Sequence, residues 1–536
     1  MSAVADVEYL LIGSGVAAST VAMRLLAHDP DTSILMLEAG DEIPSKDRRA
    51  WWDFVVTGAL PYDYTYDDDA QVSYTGNTPW RMNGSRVTAY GGTTMHWGGW
   101  ALRMKPEDFR LRTNTGKGGD WLVGYDELEG YYCEAERHLS VCGDPADTSV
   151  PRSEPFPLPP YPWLAADLEM FEGFAASGAT PARMPLARFR KCMTTGTCRY
   201  CPLGARFSGQ YVNDDLRAGG YPNFEIRTQA TVTGIRLDSR RRARGVSYID
   251  RSARGNGEVR QVDAAKVIIC AGAFESPKLL MMSGRPFYDH GIGNDAGNVG
   301  RYLVSHSFLS VSGTAPSNPD RVTSEYGFPT LMSRSLDDET RQATGKIFMF
   351  RNQNTPGGNW ARLMQAGKTR AQIDAIATGP RHIGISAFYE EFGVCGNYLR
   401  PIAGRFDRFG LPLMEIHFDR TTEVTKNAHL RLAEMEEIFR AIPDYVLDEK
   451  GSKFEGAAGF HASGTCRMSR TPEDGVTDGD LRVHGMDNLY VCSNAVFPSV
   501  GAVNPTLTLT ALAFRLADHL AGGRPAPVAA SREGVA

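Results

Sequence analysis

The run Gly13-Ser14-Gly15-Val16-Ala17-Ala18 constrains this chain more than any other feature, because of what flanks it. An apolar strand, Tyr9–Ile12, precedes it. A helical pattern follows to near Ala27, stopped by Asp29-Pro30, and a second strand, Ile34–Leu37, ends at Glu38. In such a βαβ unit the first glycine makes the tight turn, the second admits a pyrophosphate to the backbone, and the third position packs helix on strand. The pyrophosphate then sits on the helix N-terminus, where unpaired N–H groups and the helix dipole favour an anion. Ala18 holds the third position, and Glu38, twenty residues beyond it, is spaced to hold a ribose hydroxyl. These residues predict a dinucleotide site without separating NAD from FAD, since both bring a ribose and a pyrophosphate.

The other residues bound the remaining possibilities. A chain of 536 residues with 42% apolar and 22% charged side chains is expected to form two or three globular units. The formal charge of −6, without a basic block interleaved with aromatics, speaks against a nucleic acid partner. No apolar run is long enough for a membrane segment. The 9 cysteines are odd in number and sparse, which points to a reducing compartment. Met1–Glu8 lacks a basic n-region, and Arg48-Arg49 lies beyond the first nucleotide-binding unit rather than ahead of an apolar h-region. A cytoplasmic location is therefore expected.

Along the chain, Trp51–Trp80 is aromatic and acidic with little period and reads as a loop excursion or lid. Residues 120–140 form an amphipathic helical pattern, and Ser149–Trp163 is rich in proline and marks a crossing between units. Thr228–Leu237 and Val267–Cys270 read as strands. Residues 380–419 alternate around Asp407–Pro412 as an antiparallel sheet, before a helix from Thr422 to Ala441.

Four separated segments together resemble the glucose/methanol/choline oxidoreductases, flavoproteins that oxidise alcohols. They are the glycine loop; Gly91-Gly92-Thr93-Thr94-Met95-His96-Trp97-Gly98-Gly99; Gly272-Ala273-Phe274-Glu275-Ser276-Pro277-Lys278-Leu279-Leu280; and the run from His461 to Ala513, with His461-Ala462-Ser463-Gly464-Thr465 and Asn504-Pro505-Thr506-Leu507-Thr508. The resemblance implies FAD as cofactor, with contacts from Gly13, Gly15, Ala18, Glu38, Thr93, Thr94, His96, Val232, Asn494 and Thr506. It implies a catalytic pair, His461 and Asn504. The pair suits the chemistry: an imidazole with an ordinary pKa of about 6.5 is largely neutral at cytoplasmic pH and can take a hydroxyl proton, while an amide orients the same oxygen.

Asn504 in place of a second histidine, with Thr94–Trp97, is more similar to the pyranose oxidase branch. There the histidine matching His96 is often joined covalently to the 8α carbon of the flavin, which raises its reduction potential. Ser493-Asn494-Ala495 departs from the Asp-Ala-Ser common in the family, so Asn494 or backbone groups are expected to replace the acidic contact near the pyrophosphate. The length is closer to bacterial homologues that oxidise the C3 hydroxyl of sugars or C-glycosides, and the resemblance leaves C2 against C3 open.

The expected fold is thus α/β (α+β overall). A Rossmann-like FAD-binding domain is assembled from residues 1–45, 86–104, 190–310 and 455–525, with a lid at 46–85. A substrate domain built on an antiparallel sheet comprises 105–189 and 311–454, and 526–536 is a frayed tail. The expected reaction is oxidation of a secondary hydroxyl of a pyranose or glycoside, with O2 or a quinone as electron acceptor. Alternatives are the large flavin subunit of a sugar or sugar-acid dehydrogenase, and a non-redox lyase on the same fold. Tyr62–Tyr74 and Gln353–Arg362 are candidate substrate loops. Cys192, Cys198 and Cys201 supply only three local thiols where a closed zinc site takes four ligands, so no metal is expected. His306, after Asn298-Val299-Gly300-Arg301, reads as structural.

Overall fold

The computed structural model describes residues 6–44, 46–60, 72–82, 84–163, 165–189, 192, 200–317, 328–352 and 363–523. Cys198, Gln353–Arg362, most of Tyr62–Tyr74 and the tail 526–536 lie outside the described residues.

The first strand spans Val7–Ile12 and is flanked by parallel neighbours: Ile34–Leu37 on one side, with Ile12 opposite Leu37, and Glu258–Ile269 on the other, with Ile12 opposite Ile269. Phe224–Arg227 extends the sheet beyond Ile34–Leu37, and Leu489–Val491 runs parallel to the end of Glu258–Ile269. All four residues of Ile34–Leu37 are buried, as expected for a strand covered on both faces. The early half of Glu258–Ile269 pairs instead with Ala243–Asp250, which pairs with Ala230–Leu237, in an antiparallel meander. The helix Val16–His28 packs against the C-terminal helix Thr506–Leu520, which also meets Tyr125–His138. Arg24 clamps the first two helices together. Its Nε and Nη2 donate to the two carboxylate oxygens of Asp518 at 2.7 and 2.8 Å.

A second sheet runs in the order Trp80–Arg81, Lys453–Ala458, Ser307–Ala315, Arg381–Tyr389, Ile347–Asn352, Leu331–Ser333, Ala182–Arg183, with Val446–Leu447 also on Ser307–Ala315. It is antiparallel except where Lys453–Ala458 meets Trp80–Arg81. The helix Thr422–Arg440 packs on it, burying Met435 and Phe439 among Leu309, Val311 and Ile385. The 380–419 region does not form one sheet. Arg381–Tyr389 belongs to this second sheet, whereas Tyr398–Phe406 and Pro412–His417 make a hairpin that pairs with Val72–Thr75. The excursion at 46–85 is not wholly irregular either: Arg48–Thr57 is a helix.

Candidate active site

The parallel strands end together at a cavity of about 450 Å³, within the usual range for ligand pockets. Ile12, Leu37, Cys270 and Cys492, each at or just past a strand end, line it. Gly13 leaves the first strand with φ +104°, and a Cβ there would lie 2.9 Å from the Cys270 carbonyl oxygen. Gly15 and Gly92 bring the two glycine turns into backbone contact, since a Cβ on Gly92 would reach 2.9 Å from the Gly15 Cα. Ser14 ties them together: its backbone N–H and Oγ donate to Glu38 Oε2 at 3.0 and 2.6 Å, and its Oγ accepts from Gly91 N–H at 3.1 Å.

Three helices begin on this cavity, at Val16, Gly272 and Thr506, and in none does the residue before the helix supply a capping side chain. Uncapped first turns leave N–H groups without intrahelical partners. Three such positive ends around one space fit an extended anionic ligand. Asn494 also lines the cavity, and its Oδ1 is buried with no partner among the described residues. A dinucleotide fits these residues.

Of the sequence-predicted contacts, Gly13, Gly15, Glu38, Thr93, Thr94, Val232, Asn494 and Thr506 all line the cavity. Ala18 and His96 are not among the lining residues. Ala18 is wholly buried in its helix and serves the helix–strand packing, with the lining ending at Ala17. His96 closes the short turn Gly92–Met95 through its backbone N–H to Thr93 O at 3.2 Å and sits half-buried between lining residues Thr94 and Trp97. Glu38 already accepts three hydrogen bonds, the third from Gly40 N–H at 2.8 Å. Burial pushes its carboxyl above the ordinary value against the pull of these donors. Sequence reasoning missed Arg86, Glu275 and Lys278, which also line the cavity. Burial opposes ionisation of Glu275, but Lys278 and Arg86 beside it hold its carboxyl down to about 2.

His461 and Asn504, remote in the chain, meet. Asn504 Nδ2 donates to His461 Nε2 at 3.1 Å, and Asn504 Oδ1 is buried without a partner among the described residues. His461 ends the turn Gly459–His461 that follows the strand Lys453–Ala458, and the lining residues Phe460 and Ala462 flank it. Asn504 precedes Pro505 and Thr506 at the head of the C-terminal helix. Burial, and then the neighbouring His306, hold the His461 imidazole well below its ordinary pKa, so it is neutral at neutral pH.

His306, read from the sequence as structural, contacts the first member of this pair. Its Nδ1 lies 3.0 Å from His461 Nδ1, and its Nε2 lies 2.9 Å from Gly501 O. Phe388 packs against both rings, with centroids 5.5 and 4.9 Å away. Nothing local announces this contact, because it is made across 155 residues by segments that adjoin the paired strands Ser307–Ala315 and Lys453–Ala458.

Residues 169–308 match the N-terminal domain, and residues 403–513 the C-terminal domain, of the GMC oxidoreductase family. The chain belongs to this family, whose members are generally FAD-dependent. It is similar to the fructose dehydrogenase large subunit of Gluconobacter japonicus, 28% identical over 96% of this chain and 97% of that one. It is also similar to the C-glycoside 3-oxidase of Microbacterium trichothecenolyticum, 26% identical over 96% and 97%. The fold matches the crystal structure of pyridoxine 4-oxidase from Mesorbium loti with a TM-score of 0.64 at 19% identity, covering 96% of this chain and 99% of that one. Among the described residues, no helix is long and apolar enough to cross a membrane.

Proposed function

We propose that this protein is an FAD-dependent sugar oxidase that converts a secondary hydroxyl, at C2 or C3 of a pyranose or its glycoside, to a ketone, with O2 taken to H2O2. The observation that carries the reading is the His461–Asn504 contact, made by two residues whose chain neighbours Phe460, Ala462 and Pro505 line a cavity suited to a dinucleotide. FAD, when bound, supplies the acceptor for the hydride. Gly13, Gly15, Glu38, Thr93, Thr94, Val232, Asn494 and Thr506 are the residues that hold it in this proposal.

The protein's own part is to place the hydroxyl and take its proton. An alcohol oxygen inserted between the pair accepts from Asn504 Nδ2–H while its O–H donates to His461 Nε2, replacing the direct bond between the two side chains. His461 Nε2 holds the proton as the carbonyl forms. Phe460, 49% exposed on the cavity beside His461, offers an apolar face to the C–H surface of a sugar ring.

The test is an anaerobic screen of monosaccharides and plant glycosides for loss of the yellow absorbance. A lyase would leave the colour unchanged with every compound it converts. Likeness to a fructose dehydrogenase large subunit supports a second reading, in which a quinone or a cytochrome takes the electrons. Peroxide formed by the purified chain with a bleaching sugar argues for the oxidase, and its absence for the dehydrogenase. A covalent bond from His96 to the cofactor is the finer part of the proposal. Acid precipitation decides it, since a colourless protein pellet removes the bond.

A further inference from the structure

We propose that His306 is a positioning residue that fixes which nitrogen of His461 carries the hydrogen, an inference that rests on His461 being the base. The Gly501 carbonyl oxygen can accept but never donate, so at 2.9 Å the Nε2 of His306 bears its hydrogen. A neutral imidazole has one hydrogen, and burial pushes the pKa of His306 down to about 4, so its Nδ1 presents a lone pair at neutral pH. His461 Nδ1, 3.0 Å away, is then the donor, and its Nε2 is left bare. That is the atom facing Asn504 and the one from which a hydroxyl proton can be taken.

Asn504 cannot set this by itself. Its amide carries both a donor and an acceptor, and its Oδ1 has no partner among the described residues to hold it in one orientation. With His306 absent, His461 protonated on Nε2 would donate to a flipped Asn504 Oδ1 in an equally good bond, and the base would be lost. The scaffold around His306 is correspondingly fixed. Val304 and Ser463 exchange both backbone hydrogen bonds, at 3.1 and 2.8 Å, locking the two histidine segments together. Gly501 has φ +56°, with Asp108 Oδ2 placed 2.9 Å from where its Cβ would be. His306 itself is wholly buried.

The test compares FAD-loaded wild type with His306→Leu, which fills similar space without a polar atom, and His306→Asn, whose Oδ1 falls near the lost Nδ1. Two-bond proton–nitrogen spectra of histidine-labelled protein report the tautomer of His461, identified by the signal missing from His461→Gln. The expected results are Nδ1–H in wild type, a mixture dominated by Nε2–H in His306→Leu, and return to Nδ1–H in His306→Asn. With a bleaching sugar, kcat should fall about tenfold or more in His306→Leu with KM nearly unchanged, and recover in His306→Asn. Nε2–H on His461 in wild type, or Nδ1–H retained in His306→Leu, overturns the proposal, and the wild-type spectrum decides if a variant fails to fold. Full activity in His461→Gln would instead overturn the base reading and leave the tautomer assignment standing.

Discussion

Replacing Gly15 by alanine separates the cofactor's needs from those of the protein. Gly15 has φ −71°, which any residue adopts, and its added Cβ would meet only the Gly92 Cα, at 3.8 Å. Alanine is a poorer residue than glycine ahead of a helix, by up to about 1 kcal/mol, but it also restricts the unfolded chain, by about 0.4–1 kcal/mol in the opposite direction. The flavin-free protein should therefore keep its stability to within about 1 kcal/mol. The bound pyrophosphate should suffer, because the methyl group stands at the cavity side of the helix start and displaces at least one charge-assisted hydrogen bond worth about 1.5–3 kcal/mol. That converts to a Kd for FAD about 10- to 100-fold weaker. Gly13→Ala is the contrasting control. It has φ +104° and a backbone oxygen 2.9 Å from the new atom, so it should destabilise the flavin-free protein itself by about 2–4 kcal/mol. The assay is FAD titration with thermal unfolding of the stripped protein, in a His96→Ala background so that no covalent bond can mask the equilibrium. FAD binding by Gly15→Ala as tight as that of the parent, or a loss of stability equal to that of Gly13→Ala, refutes the placement of the pyrophosphate on this helix.

Further outcomes follow from the same geometry. His461→Ala with FAD retained should slow anaerobic loss of flavin absorbance by about 10²–10⁴-fold, and a rate within tenfold of wild type removes His461 as the base. The depressed pKa of His461 means that acid must go well past its ordinary value before the base is protonated, so the rate stays level as pH falls from 8 to 5.5. A base with a pKa of 6.5 would lose about nine-tenths of its rate at pH 5.5, and observing that loss would contradict the burial described here. Asp518→Ala removes the two-pronged partner of the buried Arg24 guanidinium while its bond to Glu134 at 2.8 Å remains, and should lower stability by about 1.5–3 kcal/mol, read as a fall in Tm, with Asp518→Asn recovering part of it.

What the sequence shows of this molecule depends on how local each signal is. The glycine loop, its strands and Glu38 lie within one short stretch, and each feature there has a conformational cause that can be read from residue type alone. Helix Arg48–Thr57 was equally local, with Asp47 accepting from the N–H groups of Arg49 and Ala50 and a left-handed Gly58 at its end. The crowd of aromatic residues in Trp51–Trp80 hides those two caps. Strand pairing is another matter. Eight of the nine residues of Arg381–Tyr389 are buried, so the strand shows no alternation that would name its neighbours. Its partners Ser307–Ala315 and Ile347–Asn352 come from elsewhere in the chain, and the adjacent hairpin joins a different sheet. His306 belongs to the same class, because a side chain that acts through a carbonyl 195 residues away leaves no trace in its own surroundings.

The interleaving of the nucleotide sheet has a consequence for synthesis. Its first strand emerges from the ribosome at the outset, yet Leu489–Val491 is needed to cover the far side of Val267–Ile269, and the clamp on Arg24 waits for Asp518. Until the final turns of polypeptide are released, the growing chain carries an apolar strand with an open edge, the feature that recruits mispaired neighbours and chaperones alike. A nascent product cut short before Leu489 is therefore an aggregation hazard rather than a partial enzyme.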